Sequence, residues 1–416
     1  MNIAYVCADR GVPVLGHKGA SVHVREFVTA LAALGHEVTL LCANLGTGNA
    51  LPPVRVIELA PDASPAAIAE TKVRLGPRNR DADPLLRREL GVLAADSRLA
   101  ARVVASLDDA GVRPEALYQR YALFHRAGEQ VAQTLGIPHI LEVNAPLAEE
   151  QERFRGLRLK ELAEEAETQT FRHADHVVAV SAAVRERVLA RGVPEERVTV
   201  LPNGVDTARF HSVVSGRTIR ERYGMNGKPV IGLVSSLKPW HGLDFLLDSF
   251  EEISAAHPGA LLLIAGDGPG MADLQARVAR ENLDGRVILA GHVPHAEIPC
   301  YLAATDLTVA PYIPQDGFYF SPLKIVESLA VGRPVVAPEL GQIADLIQDG
   351  VTGLLFPPGD REAFSRQVVS LLSNPPRLQA MGRAAAAIAA TEFSWQKNAR
   401  RVVERMTQLS QARIHP

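Results

Sequence analysis

Three cysteines in 416 residues, Cys7, Cys42 and Cys300, are too few and too scattered to build a disulfide framework or a zinc site. That scarcity fits a reducing compartment, and the cytoplasm is the expected location. No apolar stretch approaches the roughly 20 residues that a membrane helix requires. Met1-Asn2-Ile3-Ala4-Tyr5-Val6 enters a strand-like run without a basic region or cleavage site, so no signal peptide is expected. Surplus charge is also missing. Lys and Arg total 44 against 47 Asp and Glu, which speaks against a nucleic-acid partner and against a charged tail. Arginine outnumbers lysine 37 to 7, which reflects codon bias more than chemistry.

What is present is a globular composition, 47% hydrophobic and 22% charged, at a length suited to two domains. Short apolar runs alternate with helical patterns throughout, the mark of parallel βαβ units. In the first half, strands are expected at Ile3–Cys7, Glu37–Cys42, Arg55–Leu59, Ala116–Gln119, His139–Val143 and His176–Val180. Helices are expected at Ala20–Leu34 and Leu93–Ala110, with one long charged helix over about Ala148–Arg172. Residues 61–91 read as a loop excursion, and Thr207–Arg217 as a linker. The alternation then restarts, with strands at Val230–Val234, Ala260–Ala265, Val287–Ala290, Leu307–Pro311 and Val335–Ala337. Helices follow at Leu243–Ala256, Met271–Asn282, His295–Ala303, Leu323–Val331, Arg361–Leu372 and Pro376–Thr391, and a last one starts near Trp395. The expected class is α/β, with two Rossmann-like doubly wound domains facing across a cleft: residues 1–206, and residues 207–394 with the helix 395–416 returning to the first. Ligands of such sheets sit outside the carboxyl ends of the strands, so the loops there carry the chemistry.

The most informative of these loops is residues 316–338, DGFYFSPLKIVESLAVGRPVVAP. An aromatic segment containing Asp316, Tyr319, Phe320 and Ser321 runs into Pro322. A helix begins at Leu323-Lys324, and Gly332 and Pro334 end it. Amides at a helix N-terminus favour an anion, and Glu327 one turn inside favours a diol. A diphosphate and a ribose would satisfy both. A solvated Glu on a helix face is the plainer alternative, but Ile325, Val326 and Leu329 argue for a buried helix. A second loop, Ser235-Ser236-Leu237-Lys238-Pro239-Trp240-His241-Gly242, puts Lys238 and His241 at another helix N-terminus, where cations meet phosphate oxygens. A third, Gly266-Asp267-Gly268-Pro269-Gly270, demands a close-packed or ligand-adjacent backbone; for Asp267 turn stabilisation is the favoured reading. The fourth, Gly16-His17-Lys18-Gly19-Ala20-Ser21, opens the first helix as a phosphate or acceptor loop or as a plain tight turn, with Ser21 as a cap.

The order and spacing of these motifs resemble the retaining glycosyltransferases of family 4, which have the GT-B architecture. The resemblance runs over nearly the whole chain. It includes Lys18–Val24, Leu34–Val38, His173–Ser181, Pro202–Asp206, Gly266–Pro269, Gly291–Pro294, Ala304–Leu307, Glu327–Val336 and Gly350–Leu355. It implies a nucleoside-diphosphate sugar as donor, a hydroxyl acceptor, no metal, and substitution with retention. Lys238, His241 and Glu327 take the catalytic positions. Ser236, Gly266, Asp267, Gly268, His292, Val293, Asp316, Tyr319, Phe320, Ser321, Pro322, Leu323 and Lys324 take the donor positions. His125 and Asn144 fall on the acceptor side. Two departures stand out. The first Glu of the family's Glu-x7-Glu pattern is Tyr319 here, leaving Asp316 or backbone to hold that sugar hydroxyl. The family's loop Arg and Lys fall at Ser236 and His241, leaving Lys238 as the replacement cation. Together the two changes point to a variant subgroup.

Two other classes remain compatible with the residues: a sugar-nucleotide epimerase on the same fold, and a non-catalytic nucleotide-sugar binder. The acceptor is open among glycan, lipid-linked and natural-product hydroxyls. Arg74, Arg78, Arg80, Arg87 and Arg88 offer a peripheral contact with the inner membrane face or with an acceptor phosphate; a solvated face is the plainer reading.

Overall fold

The structure is a computed structural model that describes residues 1–48, 52–75, 83–314 and 317–414. The chain divides into two compact units, Met1–Pro202 with the segment from Asn398 onward, and Asn203–Lys397.

The first unit holds seven strands: β1 (Asn2–Cys7), β2 (Glu37–Cys42), β3 (Arg55–Glu58), β4 (Ala116–Arg120), β5 (His139–Val143), β6 (His176–Ala179) and β7 (Val198–Val200). They form one parallel sheet in the order β3-β2-β1-β4-β5-β6-β7. The second unit holds β8 (Val230–Val234), β9 (Leu261–Ala265), β10 (Val287–Gly291), β11 (Leu307–Val309), β12 (Val335–Pro338) and β13 (Gly353–Phe356). Their order is β10-β9-β8-β11-β12-β13, again all parallel. Parallel neighbours need crossover connections, and helices supply them. The strand order reverses between β1 and β4 and between β8 and β11, and each reversal opens a crevice at the carboxyl edge.

Burial on both faces explains why these strands read as continuous apolar runs. In β9, Leu261, Leu263 and Ala265 enter one core while Leu262 and Ile264 enter the other. In β12, Val335 and Ala337 face the first core and Val336 the second. Each fully buried Leu, Ile or Val contributes roughly 1.5 to 3 kcal/mol of transfer free energy.

Several expectations are corrected. The stretch 61–91 is not one loop. Helices occupy Pro65–Leu75 and Pro84–Asp109. The second starts on Asp83, whose carboxylate accepts from the Leu85 and Leu86 amides, with Pro84 at the first position. The long charged helix is two, Leu147–Arg155 and Lys160–His173, broken at Gly156 with φ +79°. The helix expected from His295 begins at Ile298. The short strands β7 and β13 and the helix Gln342–Leu346 were not foreseen. Arg74, Arg87 and Arg88 are exposed, whereas Arg78, Arg80 and Asp316 lie outside the described residues. Among the described residues no helix is long and apolar enough to cross a membrane.

The last helix, Trp395–Ile414, docks within the first unit beyond Asn398. Asn398 donates to the Pro202 carbonyl at 2.7 Å, Arg405 Nε to His176 Nδ1 at 3.1 Å, and Arg413 pairs with Asp175.

Candidate active site

The helix Leu323–Ala330 starts at the carboxyl edge of the second sheet, after β11. Its N-cap is Pro322, which makes no side-chain cap, and its first turn contains no acid. First-turn amides have no partner inside a helix. Pro322 has no N–H, so the amides of Leu323 and Lys324 lead this terminus. Ser321, just before it, is fixed from 118 residues away: the Asn203 amide donates to Ser321 Oγ at 2.9 Å and Asn203 Nδ2 to the Ser321 carbonyl at 2.6 Å.

Lys324 turns into the sheet edge. Its Nζ donates to Ser235 Oγ at 2.8 Å and stands 4.7 Å from the centre of the Tyr312 ring. Ser235 Oγ lies 2.5 Å from His241 Nδ1, and the Lys238 amide donates to the same nitrogen at 3.3 Å. A nitrogen that accepts from a backbone N–H carries no proton. The Ser235 hydroxyl therefore donates to His241, and His241 is neutral with its proton on Nε2. Burial, then the charges of Lys324 and Lys238, push the His241 ring down to about 2. The expectation that His241 adds positive charge is thus corrected: it is an internal acceptor. Burial lowers the Lys324 amine to about 7, with Glu327 opposing the shift.

Lys238 sits at the rim, with Nζ 5.4 Å from the centre of the Trp240 ring. Trp240 stacks on Phe320 at 6.1 Å and 9°, and Phe320 touches Tyr319 at 4.5 Å between ring centres. Glu327 is 6% exposed, and its Oε1 lies 2.7 Å from His295 Nε2. The glycine loop lies directly against the loop after β8. A Cβ on Gly266 would fall 1.7 Å from the Ser235 carbonyl oxygen, and one on Gly268 would fall 2.2 Å from that of Ser236. Asp267 accepts from the Gly268 amide at 2.7 Å, the turn-stabilising role. Ser236 and His292 are exposed and Val293 is buried.

Ser235, Tyr312 and His295 belong to this cluster without having been foreseen. Leu237 joins them: its side chain is buried and its φ is +37°, a strained conformation for a non-glycine residue. The signal for Ser235 was its place as the first residue past β8. The other three needed contacts distant in sequence.

In the first unit, the helix Gly19–Ala33 also starts without a side-chain cap or an acid in its first turn. Its N-cap is Lys18, not Ser21, and Lys18 Nζ donates to the Gly11 carbonyl at 3.2 Å. Gly16 is buried, and its carbonyl takes Arg25 at 2.7 Å; His17 and Gly19 are exposed and Ala20 is half-buried. At the ends of β4 and β5, Glu142 accepts from Tyr118 at 2.9 Å and Arg120 at 3.4 Å, and pairs with His23 at 2.7 Å. Burial alone would raise this carboxyl. The charge and hydrogen bond of His23, with the charge of Arg120, instead hold it near 2. Asn144 Nδ2 is buried and has no hydrogen-bond partner among the described residues. His125 is buried against Asp96 at 3.0 Å, and Asp96 also takes the Arg126 and Ala127 amides that begin the helix Ala127–Leu135. The geometry around His125 is therefore that of a helix start, which leaves its expected acceptor role without local support.

Residues 17–209 match the family described as Glycosyltransferase Family 4, and residues 228–374 the one described as Glycosyl transferases group 1. The chain is 32% identical over 244 residues to a GDP-mannose-dependent alpha-(1-6)-phosphatidylinositol monomannoside mannosyltransferase of Mycolicibacterium smegmatis, covering 58% of this chain and 64% of that protein, so just under two thirds of that relative's length is matched. It is 25% identical to the glycogen synthase of Mycobacterium tuberculosis over 411 residues, 95% of this chain and 92% of that one. The crystal structure of Anabaena HepE in complex with UDP shares the fold, with a TM-score of 0.71, 22% identity, and coverage of 98% of this chain and 100% of that one. The chain thus carries a region matching the Glycosyltransferase Family 4 model followed by one matching the Glycosyl transferases group 1 model, on a GT-B fold.

Proposed function

We propose that the protein is a retaining glycosyltransferase that moves a hexosyl group from a UDP- or GDP-linked sugar to a hydroxyl acceptor. The observation that carries this reading is the uncapped start of the helix Leu323–Ala330, with a lysine at its second position and the buried Glu327 one turn further on. The diphosphate lies on the Leu323 and Lys324 amides and the helix dipole behind them. Glu327, steadied by His295, accepts from the ribose hydroxyls. The base lies along Gly291–Val293, and the backbone of Gly266–Gly268, packed on the loop after β8, lies beside the donor.

In the reaction, the bond from the anomeric carbon to the leaving phosphate oxygen breaks. The acceptor oxygen bonds to the same face of that carbon, and its proton passes to the leaving phosphate. Lysine and amide dipoles stabilise the charge that develops on the diphosphate, usually the largest single catalytic contribution. The donor class is supported by two relatives, one named as GDP-mannose-dependent and one crystallised with UDP. Acceptors in glycan, lipid-linked or natural-product synthesis all fit a hydroxyl nucleophile. No metal is required by this scheme.

The test is a panel of UDP- and GDP-hexoses, each with and without hydroxyl acceptors, read by nucleoside-diphosphate release and product analysis. Acceptor-dependent release with an α-linked product from an α-donor is expected. Conversion of donor without acceptor would indicate an epimerase instead, and binding without turnover a non-catalytic binder.

A further inference from the structure

The family pattern draws the cation for the leaving diphosphate from the loop after the first strand of the donor domain. In this chain that role pointed to Lys238, but the geometry points elsewhere. The Lys238 amino group lies over the Trp240 ring at the rim. Lys324, on the helix that presents the amides, has its amino group under that loop, bonded to Ser235 and over the Tyr312 ring. Tyr312 is held edge-on by His241 and Phe318, with ring centres 5.2 and 5.4 Å away. The chain Lys324 to Ser235 to His241 runs in one direction only, because the Lys238 amide fixes His241 as an acceptor.

Among the described residues no carboxylate forms a salt bridge with Lys324. Glu327, on the same helix, is turned to His295 instead. Lys324 is half-buried with its amino group turned inward, and an ammonium held there by a hydroxyl and a ring face is costly unless an anion completes it. The helix terminus from which Lys324 projects is where such an anion is favoured. Resting on the donor reading above, we propose that Lys324, held by Ser235 and His241, is the side-chain cation for the donor diphosphate, and that Lys238 is peripheral to it. Ser235 and His241 are positioning residues: the hydroxyl directs the amine and the neutral ring directs the hydroxyl.

Two consequences separate this role from a structural one. The groups facing the amine are Glu327 on its own helix, His241 and Lys238 on the loop after β8, and Tyr312 after β11. With burial outweighing Glu327, the free amine is partly deprotonated above neutral pH, and an arriving diphosphate draws a proton onto it. Binding of UDP or GDP near pH 8 therefore takes up protons. Secondly, removing a half-buried charge that no carboxylate pairs with is expected to leave the fold's stability intact. The depressed amine costs the folded state most below neutral pH, and this cost fades as pH rises toward the lysine's ordinary range.

The experiment is calorimetric titration of the full chain with UDP and with GDP, at pH 8 in two buffers of different ionisation enthalpy, on wild type, Lys324→Met, Lys324→Arg and Lys238→Met. Lys324→Met is expected to lose about 10- to 100-fold in affinity, the range of a charge-assisted hydrogen bond. It should lose the proton uptake and melt no lower than wild type. Lys324→Arg should recover part of the affinity without the uptake, and Lys238→Met should change affinity less than about threefold. Wild-type affinity and uptake in Lys324→Met, with the loss appearing in Lys238→Met, would overturn the assignment and leave the donor reading standing. Failure of the wild-type protein to bind either nucleotide would remove both.

Discussion

Glu142 in the first unit and Glu327 in the second are both buried carboxylates at a carboxyl sheet edge, yet their surroundings differ. Glu142 is closed on itself by His23, Tyr118 and Arg120. Glu327 has His295 on one oxygen, and the lysine one turn before it points away to a hydroxyl. The first arrangement compensates its charges internally and reads as a core polar network. The second leaves a cation and a carboxylate separately supported, side by side, at an amide-rich helix start. A closed network holds the fold together; separately supported charges are suited to a ligand that brings a diphosphate and a diol.

The largest effect should come from opening the closed cluster. Glu142→Ala would strand Arg120 and His23 in the interior and lower stability by about 3 to 5 kcal/mol, measured by urea denaturation. A stable Glu142→Ala variant would erase the contrast. Next is Gly266→Ala, whose new Cβ would meet the Ser235 carbonyl at a φ of +141°. A loss of about 3 kcal/mol or more is expected, together with loss of nucleotide binding.

Acid should act through the first unit. Burial, offset by Asp175, lowers His139 to about 4; burial and then Arg405 and Arg197 lower His176 to about 4. Their folded values lie below the unfolded one of roughly 6.5, so the unfolded chain binds more protons in that window. Melting temperature should therefore fall as pH drops from 6.5 toward 4, and the Glu142 contribution should be lost below that. A flat profile across this window would contradict the burial of these rings. In the second unit, Glu327→Gln should cost about tenfold in UDP or GDP affinity with little change in stability, the converse of Glu142.

Much of this architecture was legible because its signals are local. Pro322, Gly332 and Pro334 bracket the Leu323–Ala330 helix, and continuous apolar runs mark the strands. Glu327 stood out by its place one turn inside a helix that had to be buried. What escaped depended on distance in sequence. Lys324 and Ser235 are 89 residues apart, and His295 and Glu327 are 32. Lys238 drew attention by its neighbours in the chain, whereas the depth of Lys324 follows from Tyr312 and Ser235 arriving from other strands. His241 looked like a cation because its residue type permits charge; only the amide and hydroxyl aimed at Nδ1 show that it is neutral. The short strands β7 and β13 lacked the length to register, and the helix Pro84–Asp109 was obscured by the polar stretch before it.

The most direct test is a crystal structure of the protein with UDP or GDP bound. The β-phosphate should accept from the Leu323 and Lys324 amides and from Lys324 Nζ, with the ribose hydroxyls on Glu327. A nucleotide whose phosphates contact Lys238 while Lys324 stays on Ser235, or one bound away from this helix, would contradict the account.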